Sequence, residues 1–411
     1  MAARRTYGGG SVFYDGRRWV ARIEAGWNPN GTRRRITVTG KTEAIVKAKL
    51  KAKQREIAKD GLPVAGMNSR TTVKTWSDAW WERRLKEKLS PDTINADRTG
   101  IQKWIIPTIG QRRLEDVSPA DIRAVQDAQA NTGLAASSIE RTHFLLMKLL
   151  KDAVLEGYSV PQRSREVPGP GRNSTGRAAM PPTDALAVLK AARALPDYSR
   201  WVAAILQGLR PAEALGLTWD MIDFDTGTLT VAWQLKALPY NVPRDPSSGF
   251  RVARDYEAVQ VAGTLHLVRP KSKAGWRRQP LTPWLERSLL EWRQIAPQSP
   301  MGIVWPRADG RPRDDKKDGA EWNMLVENAD AWVYPDSGPR RRPFRYEARH
   351  TTATLLRAAK VDDTTITAIM GHSTILSTQA YLHTDIDRAR EALTTIGNQL
   401  GLTPTPLQIE A

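Results

Sequence analysis

A chain of 411 residues is too long for one ordinary domain and implies two or three, each able to bury a core. Its 62 Lys and Arg against 44 Asp and Glu leave a formal +18, a balance that favours a polyanionic partner such as DNA, RNA or an anionic membrane surface. The absence of cysteine excludes disulfides, thiolate zinc sites and a cysteine nucleophile, and no apolar run approaches the ~18 residues of a membrane span, so a soluble, unsecreted, cytoplasmic protein is expected.

The charge is concentrated at the start. Residues 1–66 hold 15 Lys and Arg and 5 Asp and Glu, a net +10, whereas the remaining 345 residues carry +8. A binding surface gathers charge in this way, and a solubility surplus spreads it. Within the segment, residues 11–14, 18–23 and 35–39 are rich in β-branched and aromatic side chains. They are separated by Asp15-Gly16 and by Asn28-Pro-Asn-Gly31, which predicts a three-stranded sheet. Residues 42–59, with Ile45, Ala48 and Ile57 among lysines, predict a basic amphipathic helix on that sheet. Residues 61–70, bearing Pro63, Gly66 and Asn68, read as a linker.

Residues 70–165 read as all-helical. Ser90-Pro91 and Ser118-Pro119 each place a capping hydroxyl before a proline suited to the first helical position. Pro107 and Gly110 are expected to stop a helix between them. Ser137 or Ser138 is expected to cap a helix that runs through the apolar stretch 144–150 and ends at Gly157. Trp76, Trp80 and Trp81 fit a core better than a base-stacking surface. Residues 166–177, rich in glycine and proline, form a second linker. From 178 onward, helical patterns mix with strand-like runs at 228–232 and 265–268, an α+β arrangement, and residues 239–262 interrupt the strands as a loop insertion.

Three boxes in this last region carry chemistry. The first is Gly208-Leu-Arg-Pro-Ala-Glu-Ala-Leu-Gly-Leu-Thr-Trp-Asp-Met-Ile-Asp223, the second Tyr346-Glu-Ala-Arg-His350, and the third Met370-Gly-His-Ser373, with Tyr381 nine residues after His372. Between the first two lies Arg269-Pro-Lys-Ser-Lys-Ala-Gly-Trp-Arg-Arg-Gln-Pro-Leu281, read as a strand hairpin. Taken singly, an exposed arginine, a histidine after a glycine and a core tyrosine are commonplace. In this order and spacing they resemble the signatures of the tyrosine recombinases, in the phage-integrase branch.

The resemblance implies that Arg210 and Arg349 are the paired catalytic arginines, Lys271 the catalytic lysine, His372 the phosphate-binding histidine and Tyr381 the nucleophile. Lys273 stays open as the lysine or as a DNA contact, because a hairpin register shifted by two residues keeps the same face. Tyr346 stands where the family usually has a histidine.

These residue types suit phosphoryl transfer. Charge develops on the non-bridging oxygens of an attacked phosphodiester, and two guanidiniums can bind those oxygens in a preorganised site. A tyrosine nucleophile conserves the bond as a covalent 3′-phosphotyrosine link, so rejoining needs no ATP. Lys271 can protonate the leaving 5′-oxygen if its surroundings bring its pKa toward neutrality. A phenol titrates near ~10 in water and is a poor base, so Tyr346 is assigned a supporting role by hydrogen bonding. The scheme calls for no cofactor and no metal.

The implied fold is multi-domain: a small N-terminal three-stranded β-sheet plus helix (1–66), an all-α core-binding domain (70–165), a linker (166–177), a mainly-α (α+β) catalytic domain of the tyrosine recombinase type (178–395) and a C-terminal tail (396–411). The N-terminal domain is similar to arm-binding domains, with Arg18, Arg22, Arg33, Arg34 and Arg35 as expected DNA contacts; a non-specific basic anchor is the alternative. The chain end from Ala392 to Ala411, with Leu393, Ile396, Leu400 and Leu402 at its start, is expected to exchange between protomers.

The function implied is site-specific recombination that integrates a phage or mobile-element genome within a bacterial host cell. The expected partners are double-stranded DNA at core-type and arm-type sites, a homotetramer on paired sites, a DNA-bending host factor and an excisionase. A catalytically impaired DNA-binding protein on the same fold is the competing reading, with Tyr346 in its favour.

Overall fold

The computed structural model describes residues 10–27, 32–60, 70–87, 89–171, 176–252, 256–270, 275–336, 338–371 and 386–402. The chain divides into two compact units, Met1–Arg172 and Asn173–Ala411. Among the described residues no helix is long and apolar enough to cross a membrane.

The first unit opens with strands β1 (Ser11–Tyr14), β2 (Trp19–Trp27) and β3 (Arg33–Gly40), antiparallel in the order β1-β2-β3. Asp15 makes the first turn by accepting from the backbone N–H groups of Arg17 and Arg18 at 3.0 and 2.9 Å. Helix α1 (Glu43–Asp60) covers one face, on which Ala21, Ile23, Val46 and Leu50 form a small core. The expected helix face needs correcting. Ile45 and Ala48 are exposed and Val46 and Leu50 are buried, because the sheet residues Ala21 and Ile23 cover the side of the helix that carries Val46 and Leu50.

The helical part of this unit contains α2 (Val73–Arg84) and α3 (Pro91–Thr99), capped by Thr72 and Ser90. A π-helical turn, Gly100–Ile105, then leads into α4 (Ile106–Ile109). Pro107 therefore does not stop the helix as expected. It lacks an N–H and its ring would strike the carbonyl four residues back, and the wider turn just before it relieves both problems. Gly110 does end α4.

Next come α5 (Pro119–Ala130), with a capping box of Ser118 and Asp121, α6 (Ala136–Leu155) and α7 (Gln162–Arg165). Helix α6 begins before Ser137 and Ser138, without a side-chain cap. Trp76 and Trp80 are buried against it, their indole N–H groups donating to Leu149 O at 2.9 Å and Asp152 Oδ2 at 2.7 Å. Trp81 is partly buried on the same core.

The second unit holds α8 (Pro182–Ala192), α9 (Ser199–Ile205) and α10 (Pro211–Leu215). Strands β4 (Ile222–Asp223), β5 (Thr228–Val231), β6 (Gln234–Ala237), β7 (Ala258–Ala262), β8 (Leu265–Val268) and β9 (Arg277–Pro280) follow. Then come α11 (Pro283–Ile295), α12 (Asp315–Asn328), α13 (Glu347–Ala358), α14 (Asp363–Met370) and α15 (Ile386–Gln399).

The strands form two three-stranded sheets, β4-β5-β9 and β6-β8-β7. Two expectations are corrected by this. The stretch 239–262 is not wholly a loop, since its end is β7, antiparallel to β8 with Val259 opposite Leu267 and a register shift between Gln260 and Ala262. Strands β8 and β9 do not pair as a hairpin; each belongs to a different sheet.

The main core gathers Trp201, Trp284, Trp305 and Trp322 with leucines from most of these helices. Leu393, Ile396, Leu400 and Leu402 are buried in the same core, and a methyl built on Gly397 would come within 2.0 Å of the Trp284 ring. The start of the expected exchange tail therefore packs onto its own unit, because its apolar stripe finds a complementary surface there. Residues 403–411 lie outside the described part of the chain.

Candidate active site

Arg210 occupies the residue before α10, with extended backbone angles, and Glu213 sits one turn into the helix. Glu213 Oε2 accepts from the Arg210 backbone N–H at 2.9 Å and Oε1 from Arg210 Nη1 at 2.6 Å. The other Arg210 amino group donates to Gly371 O at 2.9 Å, at the left-handed glycine that ends α14. The first and third boxes thus meet through one arginine.

Arg349, from α13, is only 2% exposed and donates through Nη1 to Gly208 O at 2.6 Å. Its Nη2 is buried with no partner among the described residues. Arg277, from β9, lies beside it, clasping Glu213 with Nη1 to Oε1 at 3.1 Å and Nη2 to Oε2 at 2.9 Å. Two guanidiniums therefore pair with one carboxylate that is 1% exposed, and the charge of Arg349 lies close enough to act on it.

The electrostatics follow from this arrangement. Burial works to raise the Glu213 pKa, and Arg277, Arg210 and Arg349 outweigh it, pulling the carboxyl down to about 2. Burial and then repulsion from Arg277 and Arg210 push Arg349 the other way, to about 9, a value at which it remains charged at neutral pH. Arg210 is held above its ordinary value: burial opposes this, and Glu213 followed by the Tyr346 hydroxyl prevail.

Tyr346 immediately precedes α13 and is 39% exposed. Its ring lies 5.7 Å from the His350 ring, one helical turn on, and under the Arg177 guanidinium at 5.6 Å. His350 Nε2 is buried without a partner among the described residues, and burial followed by Arg177 lowers its pKa. Glu347, in the same box, is committed elsewhere. It accepts from Arg341 at 2.7 and 2.8 Å, from the Phe344 N–H at 2.8 Å and from the Ala178 N–H at 2.9 Å.

Arg210, Arg349 and Tyr346 are thus brought to one place. Lys271, Lys273, His372 and Tyr381 lie outside the described residues. The sequence motifs do not single out Arg277 or its pairing with Glu213; the available signal was the strand alternation that buries Arg277 and Gln279 while exposing Arg278.

On the N-terminal sheet, register places Arg22 opposite Thr37 and Glu24 opposite Arg35, so Arg22 and Arg35 share the face away from α1. Arg35 Nε pairs with Glu24 at 3.0 Å, Arg22 lies over the Phe13 ring at 4.9 Å and Arg33 over the Trp27 ring at 5.4 Å. Arg18 is exposed in the turn, 3.5 Å from Asp15. The Arg34 side chain lies outside the described part.

Comparisons with known proteins point to integrases. Residues 72–128 match the phage integrase N-terminal SAM-like domain. An integrase of Streptomyces ambofaciens is 29% identical over 396 residues, covering 91% of each chain. The chain is thus similar to integrases of the tyrosine recombinase family.

The chain also shares its fold with solved structures. The Tn1549 transposon integrase, in complex with a circular intermediate DNA, superposes with a TM-score of 0.60 at 17% identity, covering 78% of this chain and 98% of that one. A lambda integrase dimer bound to a core site covers 95% of this chain and 96% of its own, with a TM-score of 0.55 at 14% identity.

Proposed function

We propose that this recombinase cuts and rejoins DNA at specific sites through a covalent 3′-phosphotyrosine intermediate formed by Tyr381, and so integrates a phage or mobile-element genome. The observation that carries the reading is the pairing of Arg210 and Arg349 around Glu213, with Arg349 Nη2 buried and unpartnered among the described residues. A buried guanidinium donor without an acceptor is costly in the free protein and is satisfied when a phosphate oxygen arrives.

In this mechanism Arg210 and Arg349 bind the non-bridging oxygens of the scissile phosphate. The Tyr381 oxygen attacks phosphorus, the 5′-oxygen leaves, and Lys271, with Lys273 as the alternative, supplies its proton. His372 donates a hydrogen bond to the same phosphate. Tyr346, beside Arg210, supports the charge on that arginine.

Residues 70–165 and 178–395 are assigned as core-binding and catalytic domains, and residues 1–66 as an arm-site reader, with Arg18, Arg22, Arg33, Arg34 and Arg35 binding its phosphates. The net +10 of that segment supports a phosphate-binding role. The working assembly is a homotetramer on paired sites in the bacterial cytoplasm, bound to the nucleoid and aided by a DNA-bending host factor and an excisionase. A lambda integrase tetramer bound to a Holliday junction shares the fold at a TM-score of 0.53, which supports that assignment.

The test is covalent capture: nicked duplexes bearing the attachment site are incubated with the protein and resolved on denaturing gels. A DNA adduct lost in Tyr381→Phe is expected. Binding without any adduct would favour a catalytically impaired DNA-binding protein.

A further inference from the structure

The charge balance of the arginine cluster points beyond the two arginines that face phosphate. Arg210, Arg277 and Arg349 bring three positive charges and Glu213 one negative, a formal surplus of two. Arg277 forms the more symmetric pair with Glu213, one amino group on each carboxylate oxygen, and it is buried at 7% exposure. If Arg277 were absent, the same carboxylate would be left to neutralise Arg210, which already touches it at 2.6 Å.

A phosphodiester carries one negative charge. When the nucleophile has given up its proton and its oxygen adds to phosphorus, the pentavalent transition state carries two, of which one leaves on the departing oxygen as the old bond breaks and the other stays on the new diester. A pocket with a surplus of two matches that state better than it matches the ground-state diester, and differential binding of this kind accelerates the reaction.

We propose that Arg277 is a positioning residue that acts through Glu213: by occupying the carboxylate it keeps Arg210 and Arg349 available to a doubly charged transition state. The inference rests on the assignment of those two arginines as phosphate ligands. A purely architectural role fits less well. Arg277 Nε donates to Ile369 O at 2.9 Å, yet Gln279 Nε2 donates to the same carbonyl at 2.6 Å, so the end of α14 keeps a donor without Arg277.

The experiment compares two duplexes identical except at the scissile phosphate, one an ordinary diester and one a methylphosphonate, whose transition state carries one negative charge fewer. Single-turnover rates of adduct formation are measured for the wild type, Arg277→Met and Arg277→Lys. The ratio of the diester rate to the methylphosphonate rate does not depend on what fraction of a variant is folded.

Arg277→Met is expected to lower that ratio at least ~10-fold, within the range seen when one charge-stabilising group is lost, and Arg277→Lys to recover most of it. A slower Arg277→Met with an unchanged ratio, no effect on either substrate, or no methylphosphonate cleavage by Arg277→Met would each overturn the proposal. Failure of the underlying assignment is distinguishable, because the wild type would then form no Tyr381-dependent adduct on the diester.

Discussion

The carbonyl of Gly208 accepts a 2.6 Å hydrogen bond from Arg349 Nη1, joining the turn that opens the first box to the buried arginine of the second. Gly208 has a φ of +65°, and a methyl added there would lie 3.2 Å from both Met370 Sδ and Thr352 Cγ2. Gly208→Ala should therefore cost ~1–2 kcal/mol of backbone strain and displace Arg349. Adduct formation should fall more than stability does. Calorimetry paired with the cleavage assay checks this, and an active, destabilised variant would count against the role of the turn.

The depressed Glu213 pKa makes a pH prediction. The carboxyl has an ordinary value of 4.5 and is pulled to about 2 in the fold, so its contribution is fully present above pH 4.5 and is lost as pH falls toward 2. Glu213→Gln should be less stable than wild type by roughly 3 kcal/mol at neutral pH, with the gap closing between pH 4.5 and 2. Urea melts across that window measure it; a gap independent of pH would argue that the ion cluster does not set it.

Tyr346→Phe removes one hydroxyl beside Arg210 and keeps the ring under Arg177. The expected loss in single-turnover cleavage is ~10-fold or less, in keeping with a hydrogen bond worth about 1 kcal/mol. Tyr381→Phe should abolish cleavage. Equal loss in the two variants would make Tyr346 a participant in proton transfer.

Arg22 and Arg35 share the open face of the N-terminal sheet. If that face meets DNA phosphates, replacing either by alanine should reduce the slope of log affinity against log salt by ~0.9 for each phosphate no longer neutralised. Filter binding on arm-site DNA at several salt concentrations provides the measurement, and an unaltered slope would move the interface elsewhere.

For the C-terminal helix, Leu393→Ala or Ile396→Ala should cost ~2–5 kcal/mol, as truncations in a packed core do. Both side chains are fully buried in their own unit. Removal of residues 403–411 should leave the melting temperature unchanged. If that deletion also spares synapsis and strand exchange, the exchanged-tail reading is wrong.

Much of the fold was legible because its determinants are local. Ser90, Ser118 and Asp15 act on backbone groups two or three residues away, and proline at a first helical turn needs no partner at all. Arg210 and Glu213 belong to one helical turn and could be read together. The partnership of Arg277 with Glu213 spans 64 residues and joins a strand to a helix start; no local pattern encodes it.

The helix ends and faces that differed from expectation also depended on distant packing. Val46 displaced Ile45 because the sheet decides which side of α1 is covered, and the apolar stripe of α15 could not reveal that its acceptor was the surface around Trp284. The strands flanking the lysine segment resemble a hairpin in sequence, and only the pairing of β5 with β9 and of β6 with β8 separates them.

The contact of Gly397 with Trp284 also sets a leash. Helix α15 starts at Ile386, five residues beyond Tyr381, and is clamped to the core by that contact. Five residues of extended chain reach ~18 Å at most, so Tyr381 is confined to a sphere of that radius about the start of α15. A group so tethered has an effective concentration on the order of tens of millimolar. On the mechanism proposed above, the attacking tyrosine is thus kept concentrated by the chain that follows it.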